Sequence, residues 1–310
     1  MSTGDRVARP RAARVAAQAK VNLRLRILAR EESGFHQLET LFLRLALADD
    51  LVVRIVDGGR SLEVVGEVDA RQLGPVERNL AWRAADTYAR ATGWPTGFAI
   101  ELTKRIPVGA GLGGGSADAG AVLRALDALA PSPIGETALR ALAATLGADV
   151  PFLTTSQPFA LGWGRGERLL ALPAPPQREV LLVLPAFAVN TADAYGWLAS
   201  SRSAESLHGV ADPLDVASLA QWDSLASYAV NDFEPVVAAR RSQISSIVEQ
   251  LRAAGFAPAM LSGSGSAVFG VFPAESRVDL PQFVAEGRTP APRVLLTRTA
   301  ERVEPVDLST

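Results

Sequence analysis

The sequence contains no cysteine, which rules out disulfides, thiolate metal sites and a cysteine nucleophile. Histidine is scarce: His36 and His208 are the only two, so a histidine-rich metal site is excluded as well. A carboxylate-held magnesium ion is not excluded. A dominant sign of charge is missing too. The net charge of −2 gives no electrostatic pull toward nucleic acid or an anionic membrane. The longest apolar run, Val180 to Val189, is too short to span a bilayer and contains Pro185. Arg6, Arg9, Arg11 and Arg14 are not followed by the apolar stretch of a secretory signal. Residues 1–14 therefore read as a frayed tail, and the cytoplasm is the default compartment.

What is abundant is glycine, concentrated in one place. Pro107-Val108-Gly109-Ala110-Gly111-Leu112-Gly113-Gly114-Gly115-Ser116 stands between a strand pattern and an alanine-rich helix pattern. Without Cβ atoms its glycines can take positive φ and come close to a ligand. The amides of such a loop, with those of the helix after it, converge on an anion, and a nucleotide phosphate is the natural one. Gly109, Gly111 and Gly114 match a dinucleotide fingerprint, but the acidic residues that follow, Asp127 and Glu136, fall in a helix pattern and a loop rather than after a strand. No lysine stands between the glycines and Ser116, so it is not a Walker A loop. A bare flexible turn is the remaining alternative.

Around the loop, Val15 to Leu28 alternates with period 2, with Val21, Leu23, Leu25 and Ile27 on one face and Lys20, Asn22, Arg24 and Arg26 on the other. Arg24 and Arg26 read as a solvated outer face. Leu41 to Val56 is strand-like, broken by Asp49-Asp50. Ser61 to Val65 and Phe98 to Leu102 are further strands. Asn79 caps a helix through Arg90, stopped by Gly93. Ala119, Val122, Leu123, Leu126 and Leu129 mark a helix buried on one face and ended by Pro131. Ser116 at its start reads as an N-cap, a phosphate or magnesium ligand, or both, and Asp118 as a dipole partner. Thr137 to Leu146 is a helix with Gly147 at C′. Asp149, between that stop and Pro151, is either a turn aspartate or a carboxylate on a rigid corner.

Pro173 to Pro176 reads as a domain boundary, dividing the chain into 1–175 and 176–310. Beyond it, Val180 to Leu184 is a strand and Thr191 caps a helix carrying Tyr195. Residues 200–230 carry weak signals. Ile244, Ile247, Val248 and Leu251 form a helix stopped by Gly255. A second small-residue loop, Ser262-Gly263-Ser264-Gly265-Ser266, precedes the strand Ala267 to Phe272, and Pro290 to Thr299 holds one more. Strands and helices mix without strict βαβ alternation, so the fold class is α+β. A glycine loop, a strand lysine and a corner aspartate together point to ATP-dependent phosphoryl transfer.

These blocks resemble the GHMP small-molecule kinases. The glycine loop, Ala19-Lys20-Val21-Asn22, Gly34-Phe35-His36, Glu77-Arg78-Asn79-Leu80, Gly147-Ala148-Asp149-Val150-Pro151 and Ser262 to Gly265 most resemble the family acting on 4-diphosphocytidyl-2-C-methyl-D-erythritol. The resemblance implies an N-terminal ribosomal-protein-S5-like domain and a C-terminal ferredoxin-like domain with the site between them. It implies phosphorylation of the substrate's 2-hydroxyl in non-mevalonate isoprenoid synthesis, using ATP and Mg²⁺. The protein is then a monomer or homodimer whose partner is the small-molecule substrate, with no nucleic acid and no membrane. Asp149 matches the catalytic base and Lys20 the catalytic lysine. Pro107 to Ala117 match the ATP-phosphate loop, while Asn79 and Lys104 match the adenine side. Asn22, Phe35, His36, Thr191, Tyr195, Ser264 and Gly265 match the substrate side, with Tyr195 stacking on cytosine opposite Phe35. Ser116 and Asp149 are the candidate magnesium ligands. The family usually carries Tyr at Phe35, Asp at Ser33, an apolar or aromatic residue at Arg24 and Ala at Gly120. Rival readings are a GHMP kinase for another alcohol such as homoserine or mevalonate, a non-catalytic nucleotide-binding protein, and a dinucleotide-dependent oxidoreductase.

Overall fold

β1 (Ala12–Arg30) and β2 (His36–Val56) pair antiparallel along most of their length and form the spine of a seven-stranded sheet. The computed structural model describes residues 10–32, 34–66, 74–202, 214–274, 279–285 and 289–308. Ser33, His208, Arg6 and Arg9 lie outside the described residues, as does most of the expected N-terminal tail.

The chain continues through β3 (Arg60–Gly66), α1 (Leu80–Thr92), β4 (Gly97–Lys104), α2 (Gly114–Leu129), α3 (Gly135–Ala144), α4 (Val150–Thr154), β5 (Phe159–Gly164) and β6 (Arg168–Ala171). Then come β7 (Glu179–Leu184), α5 (Thr191–Ser201), α6 (Trp222–Tyr228), β8 (Val230–Asn231), α7 (Glu234–Ala238), α8 (Ser242–Ala253), β9 (Ala259–Leu261), β10 (Val268–Val271) and β11 (Arg293–Arg298). The large sheet has the order β3-β4-β2-β1-β8, with β5 on another stretch of β2 and β6 outside it. The small sheet has the order β11-β7-β10-β9, with antiparallel neighbours throughout. The architecture is α+β, with no dinucleotide-type parallel sheet among the described residues. Among those residues, too, no helix is long and apolar enough to cross a membrane.

The period-2 pattern of β1 buries Val15, Ala17, Ala19, Val21 and Leu23. α2 lies on this sheet and buries Ala119, Val122, Leu123 and Leu126 as its spacing requires. Asn79 caps α1 by accepting from Ala81 N at 2.9 Å, and Gly93 ends it in the left-handed region. α8 buries Ile244, Ile247, Val248 and Leu251 and ends at Ala253, just before Gly255 turns the chain at φ +92°.

Several local expectations are corrected. β2 is not broken at Asp49-Asp50: Asp49 is fully buried, and its carboxylate accepts from Lys104 Nζ and the amides of Arg105 and Ile106. Arg24 is not on a solvated face; it is buried, pairs with Glu39 at 2.6 Å and donates to Tyr228 O, beside the β8 edge. Arg26 is nearer the expectation, with a partly exposed side chain 3.6 Å from Asp232. α3 starts at Gly135 and ends at Ala144, so Gly147 is no C′ glycine and does not take positive φ. The cap of α5 is Asn190, which accepts from Ala192 N, and Thr191 is the first helical residue.

Candidate active site

Three register shifts interrupt the β1–β2 ladder, and two of them bracket Lys20 to Asn22. Such irregularities re-aim side chains. Here the buried Lys20 Nζ donates to Asn22 Oδ1 at 2.7 Å and lies 3.1 Å from Asp149 Oδ2. Asn22 Nδ2 donates to Thr40 Oγ1 at 2.8 Å, and Thr40 Oγ1 donates to Arg24 O at 2.7 Å. The lysine is thereby oriented from below, and its free direction is toward the carboxylate. Asp149 is the N-cap residue of α4 but makes no side-chain cap, so its carboxylate is left for other partners.

The glycine loop covers the lysine. Lys20 N donates to Leu112 O at 3.0 Å, and the buried Leu112 anchors the loop in the core. Val108 stands exposed at the outer bend. Gly113, at φ +71°, is the N-cap of α2 and offers no side-chain cap. Ser116 is therefore not the N-cap; it lies in the first turn, where the amides of Gly114, Gly115 and Ser116 have no intrahelical acceptor. Ala117 is buried behind them. α1 begins alongside, because a Cβ on Gly115 would lie 3.5 Å from Leu80 Cδ1, and this brings Asn79 to the loop side.

The second small-residue loop packs on the first. Ser262 Oγ donates to Gly111 O at 3.0 Å and Ala267 N donates to Ala110 O at 3.1 Å. Ser264 Oγ and Thr191 Oγ1 share a hydrogen bond of 2.9 Å, and Gly265 donates its amide to Ser262 O. Asn231, which the sequence reading passes over, secures this loop. Its Nδ2 donates to Leu261 O and Gly263 O, and its Oδ1 accepts from Phe233 N. The Asn231-Asp232 pair ahead of Pro235 is the available signal.

Lys104 Nζ is buried between Asp49 and Asp118, 2.7 Å from the latter, and braces the entry to the loop. Asp118 accepts from Lys104 Nζ through one oxygen, and its other, buried oxygen is left without a hydrogen bond. Burial raises its pKa to about 8.

Lys20, Asn22, Gly111, Gly113, Ser116, Asp149, Thr191, Tyr195 and Ser264 all border one pocket of about 220 Å³. It adjoins a larger cavity of about 1190 Å³, with Thr191 and Tyr195 common to both and Phe35 and His36 on the larger one. Tyr195 stacks on His36 with centroids 4.2 Å apart and meets Phe233 edge-on at 4.9 Å. The exposed Phe35 ring carries the Arg165 guanidinium at 4.1 Å, itself paired with Glu31. Burial, and then Asp149, push the Tyr195 phenol up to about 12, while burial and the nearby Arg30 and Arg202 lower His36. Both rings are uncharged at neutral pH and suit a flat, neutral ring partner. The arrangement can hold an anion at the α2 N-terminus, a hydroxyl at Asp149, and a larger polar body beyond.

The GHMP kinases N terminal domain family matches residues 79–157, and the GHMP kinases C terminal family matches residues 214–285. A 4-diphosphocytidyl-2-C-methyl-D-erythritol kinase of Geobacter sp. (strain M21) is 37% identical over 262 residues, 84% of this chain and 89% of the relative. The chain belongs to the 4-diphosphocytidyl-2-C-methyl-D-erythritol kinase family of the GHMP kinases. A second relative of that name, from Solidesulfovibrio magneticus, is 42% identical over 267 residues, covering 82% of this chain and 86% of its own. A crystal structure of a 4-(cytidine 5'-diphospho)-2C-methyl-D-erythritol kinase superposes with a TM-score of 0.70 at 35% identity, over 92% of this chain and 98% of that one. The fold is accordingly the GHMP kinase fold, and the protein is an ATP-dependent kinase.

Proposed function

We propose that this kinase transfers the γ-phosphoryl group of ATP to the 2-hydroxyl of 4-diphosphocytidyl-2-C-methyl-D-erythritol, in non-mevalonate isoprenoid synthesis. The observation that carries the reading is the Lys20–Asp149 pair, 3.1 Å apart, in the glycine-loop pocket that the larger cavity adjoins. Asp149 accepts the hydroxyl proton and Lys20 stabilises the developing alkoxide. The amides at the start of α2 take the phosphate charge, and Ser264 and Gly265 border the group in transfer. Asn22 orients Lys20. His36, Phe35, Thr191 and Tyr195 receive the cytidyl end, and Asn79 lies toward the adenine side.

Mg²⁺ suits the residues present. Ser116 and Asp149 offer hard oxygens to one pocket, and the described residues hold no cluster of three or more acidic or histidine groups. That agrees with an ion carried mainly by phosphates and water. When bound it would neutralise phosphate charge. The reading is of a cytoplasmic monomer or homodimer built from residues 1–175 and 176–310; the net charge of −2 supports the absence of a nucleic-acid partner.

The test is ADP release with Mg²⁺-ATP and a panel of 4-diphosphocytidyl-2-C-methyl-D-erythritol, homoserine, mevalonate and no acceptor. Turnover with the cytidyl compound alone is expected. Turnover with homoserine or mevalonate instead would overturn the substrate assignment.

A further inference from the structure

Lys20 and Arg44 are facing partners in the β1–β2 ladder, so their side chains leave the same face of the sheet. Both are buried cations, 3% and 1% exposed. They reach opposite ends of one short helix. Lys20 Nζ lies against Asp149, the N-cap of α4. Arg44 Nη2 donates to Phe152 O and Thr155 O, both at 2.9 Å, and Arg44 Nε donates to Gln157 O at 3.1 Å. These carbonyls belong to the last turn of α4 and the segment after it; Phe152 O also accepts from Thr155 N at 3.1 Å and from Thr155 Oγ1 at 2.7 Å.

A guanidinium this deep costs far more to bury than an apolar side chain of its size. What it supplies is direction, because its planar fork meets several acceptors at fixed angles. Burial, and then Arg124, lower the Arg44 pKa to about 9, which leaves it charged at neutral pH. The Phe152 ring lies 5.0 Å from the guanidinium. From the other side α2 meets α4 backbone to backbone: a Cβ on Gly120 would lie 2.5 Å from Leu153 O. The seat of α4 is thus defined by the α2 backbone on one flank and by Arg44 at the end remote from Asp149.

We propose that Arg44 is a positioning residue for phosphoryl transfer. By clasping the C-terminal carbonyls of α4 it sets the Asp149 carboxylate against Lys20, so one rung of the ladder supports both the base and the cation beside it. The inference rests on the reading of Asp149 as the base, and displacements on the ångström scale at such a centre are costly to rate.

The test uses Arg44→Met and Arg44→Lys in the full chain. Val53→Ala, a cavity variant toward the far end of β2, controls for lost stability, and Asp149→Asn is the reference for a lost base. Steady-state kinetics are measured where each variant is folded, and amide exchange is followed in the peptide spanning 149–157. Arg44→Met, and Arg44→Lys less severely, are expected to speed exchange there and to lower kcat about 10- to 100-fold, with KM for ATP within about twofold. Val53→Ala should lower Tm and do neither. If Arg44→Met fails to fold, Arg44→Lys decides on the same criteria. Unchanged exchange in 149–157 overturns the proposal, as does wild-type kcat in the Arg44 variants while Asp149→Asn is impaired. Wild-type turnover by Asp149→Asn would overturn the reading of the base, and this inference with it.

Discussion

A Cβ on Gly113 would come within 2.9 Å of Lys20 Cγ and 3.0 Å of Lys20 Cε. The glycine is therefore the roof under which the lysine lies extended toward Asp149, and it also holds φ at +71°. Gly113→Ala should destabilise the protein by about 1–3 kcal/mol through backbone strain and lower kcat roughly 10- to 100-fold by displacing the lysine. Urea unfolding and steady-state kinetics measure the two separately. An alanine variant with unchanged kcat would show that Lys20 tolerates the crowding.

Asp149→Asn keeps the shape of the side chain and removes the proton acceptor. Its kcat should fall by roughly 10²–10⁴, with KM for ATP nearly intact, because the α2 amides are untouched. Lys20→Ala should also slow turnover. Unchanged kinetics in either variant would remove that residue from the chemistry.

Asn231 satisfies two buried carbonyls and one buried amide at once. Asn231→Asp preserves volume but sets an acceptor against the carbonyls of Leu261 and Gly263. A loss of about 1–3 kcal/mol is expected, together with impaired turnover, since Ser264 sits on the same loop. Chemical denaturation with the m-value unchanged would assign the loss to the native state. A neutral effect would mean that the loop is held by its packing on Gly111.

The buried cluster Asp49–Lys104–Asp118 holds one cation between two carboxyls, and burial raises Asp118 to about 8. A neutral carboxyl also leaves the orphan oxygen of Asp118 less costly than a carboxylate would. The unfolded carboxyl has its ordinary value of 3.8, so between there and about 8 the folded state binds the extra proton. The associated stability is full at low pH and is lost as pH rises through that window. Asp118→Asn should flatten this component. Stability of the two proteins compared at several pH values from about 5 to 9 should show the wild type losing ground to the variant as pH rises; parallel profiles would mean that Asp118 is ionised throughout.

Much of this was legible in the chain because the signals are local. Glycine density, the alternation of β1, the Asn79 cap and the Asp149 corner each sit within a few residues. What escaped the sequence are charges whose partners are remote. Arg24 looks solvated until Glu39 and the carbonyl of Tyr228 cover it, and Asp49 looks like a strand breaker until Lys104 arrives from β4. Period 2 assigns a face but not what lies over it. Arg24, Lys20 and Asn22 share a face that the sheet alone would leave wet; α6 packs against β1 and the glycine loop covers Lys20. Ser116 and Thr191 miss their expected capping parts for a related reason: Gly113 and Asn190 start their helices earlier, and only backbone geometry tells which residue turns first.

The path of the chain between its sheets has a practical consequence. It leaves the large sheet for β7, comes back for β8, departs again for β9, and after β11 returns, where Thr299 bridges to Leu45 and Asp307 to Arg14. The halves are interleaved rather than strung in series. A protease nick at Pro173 to Pro176 would leave fragments still laced together, and residues 1–175 expressed alone would lack β8 and leave that edge of β1 bare.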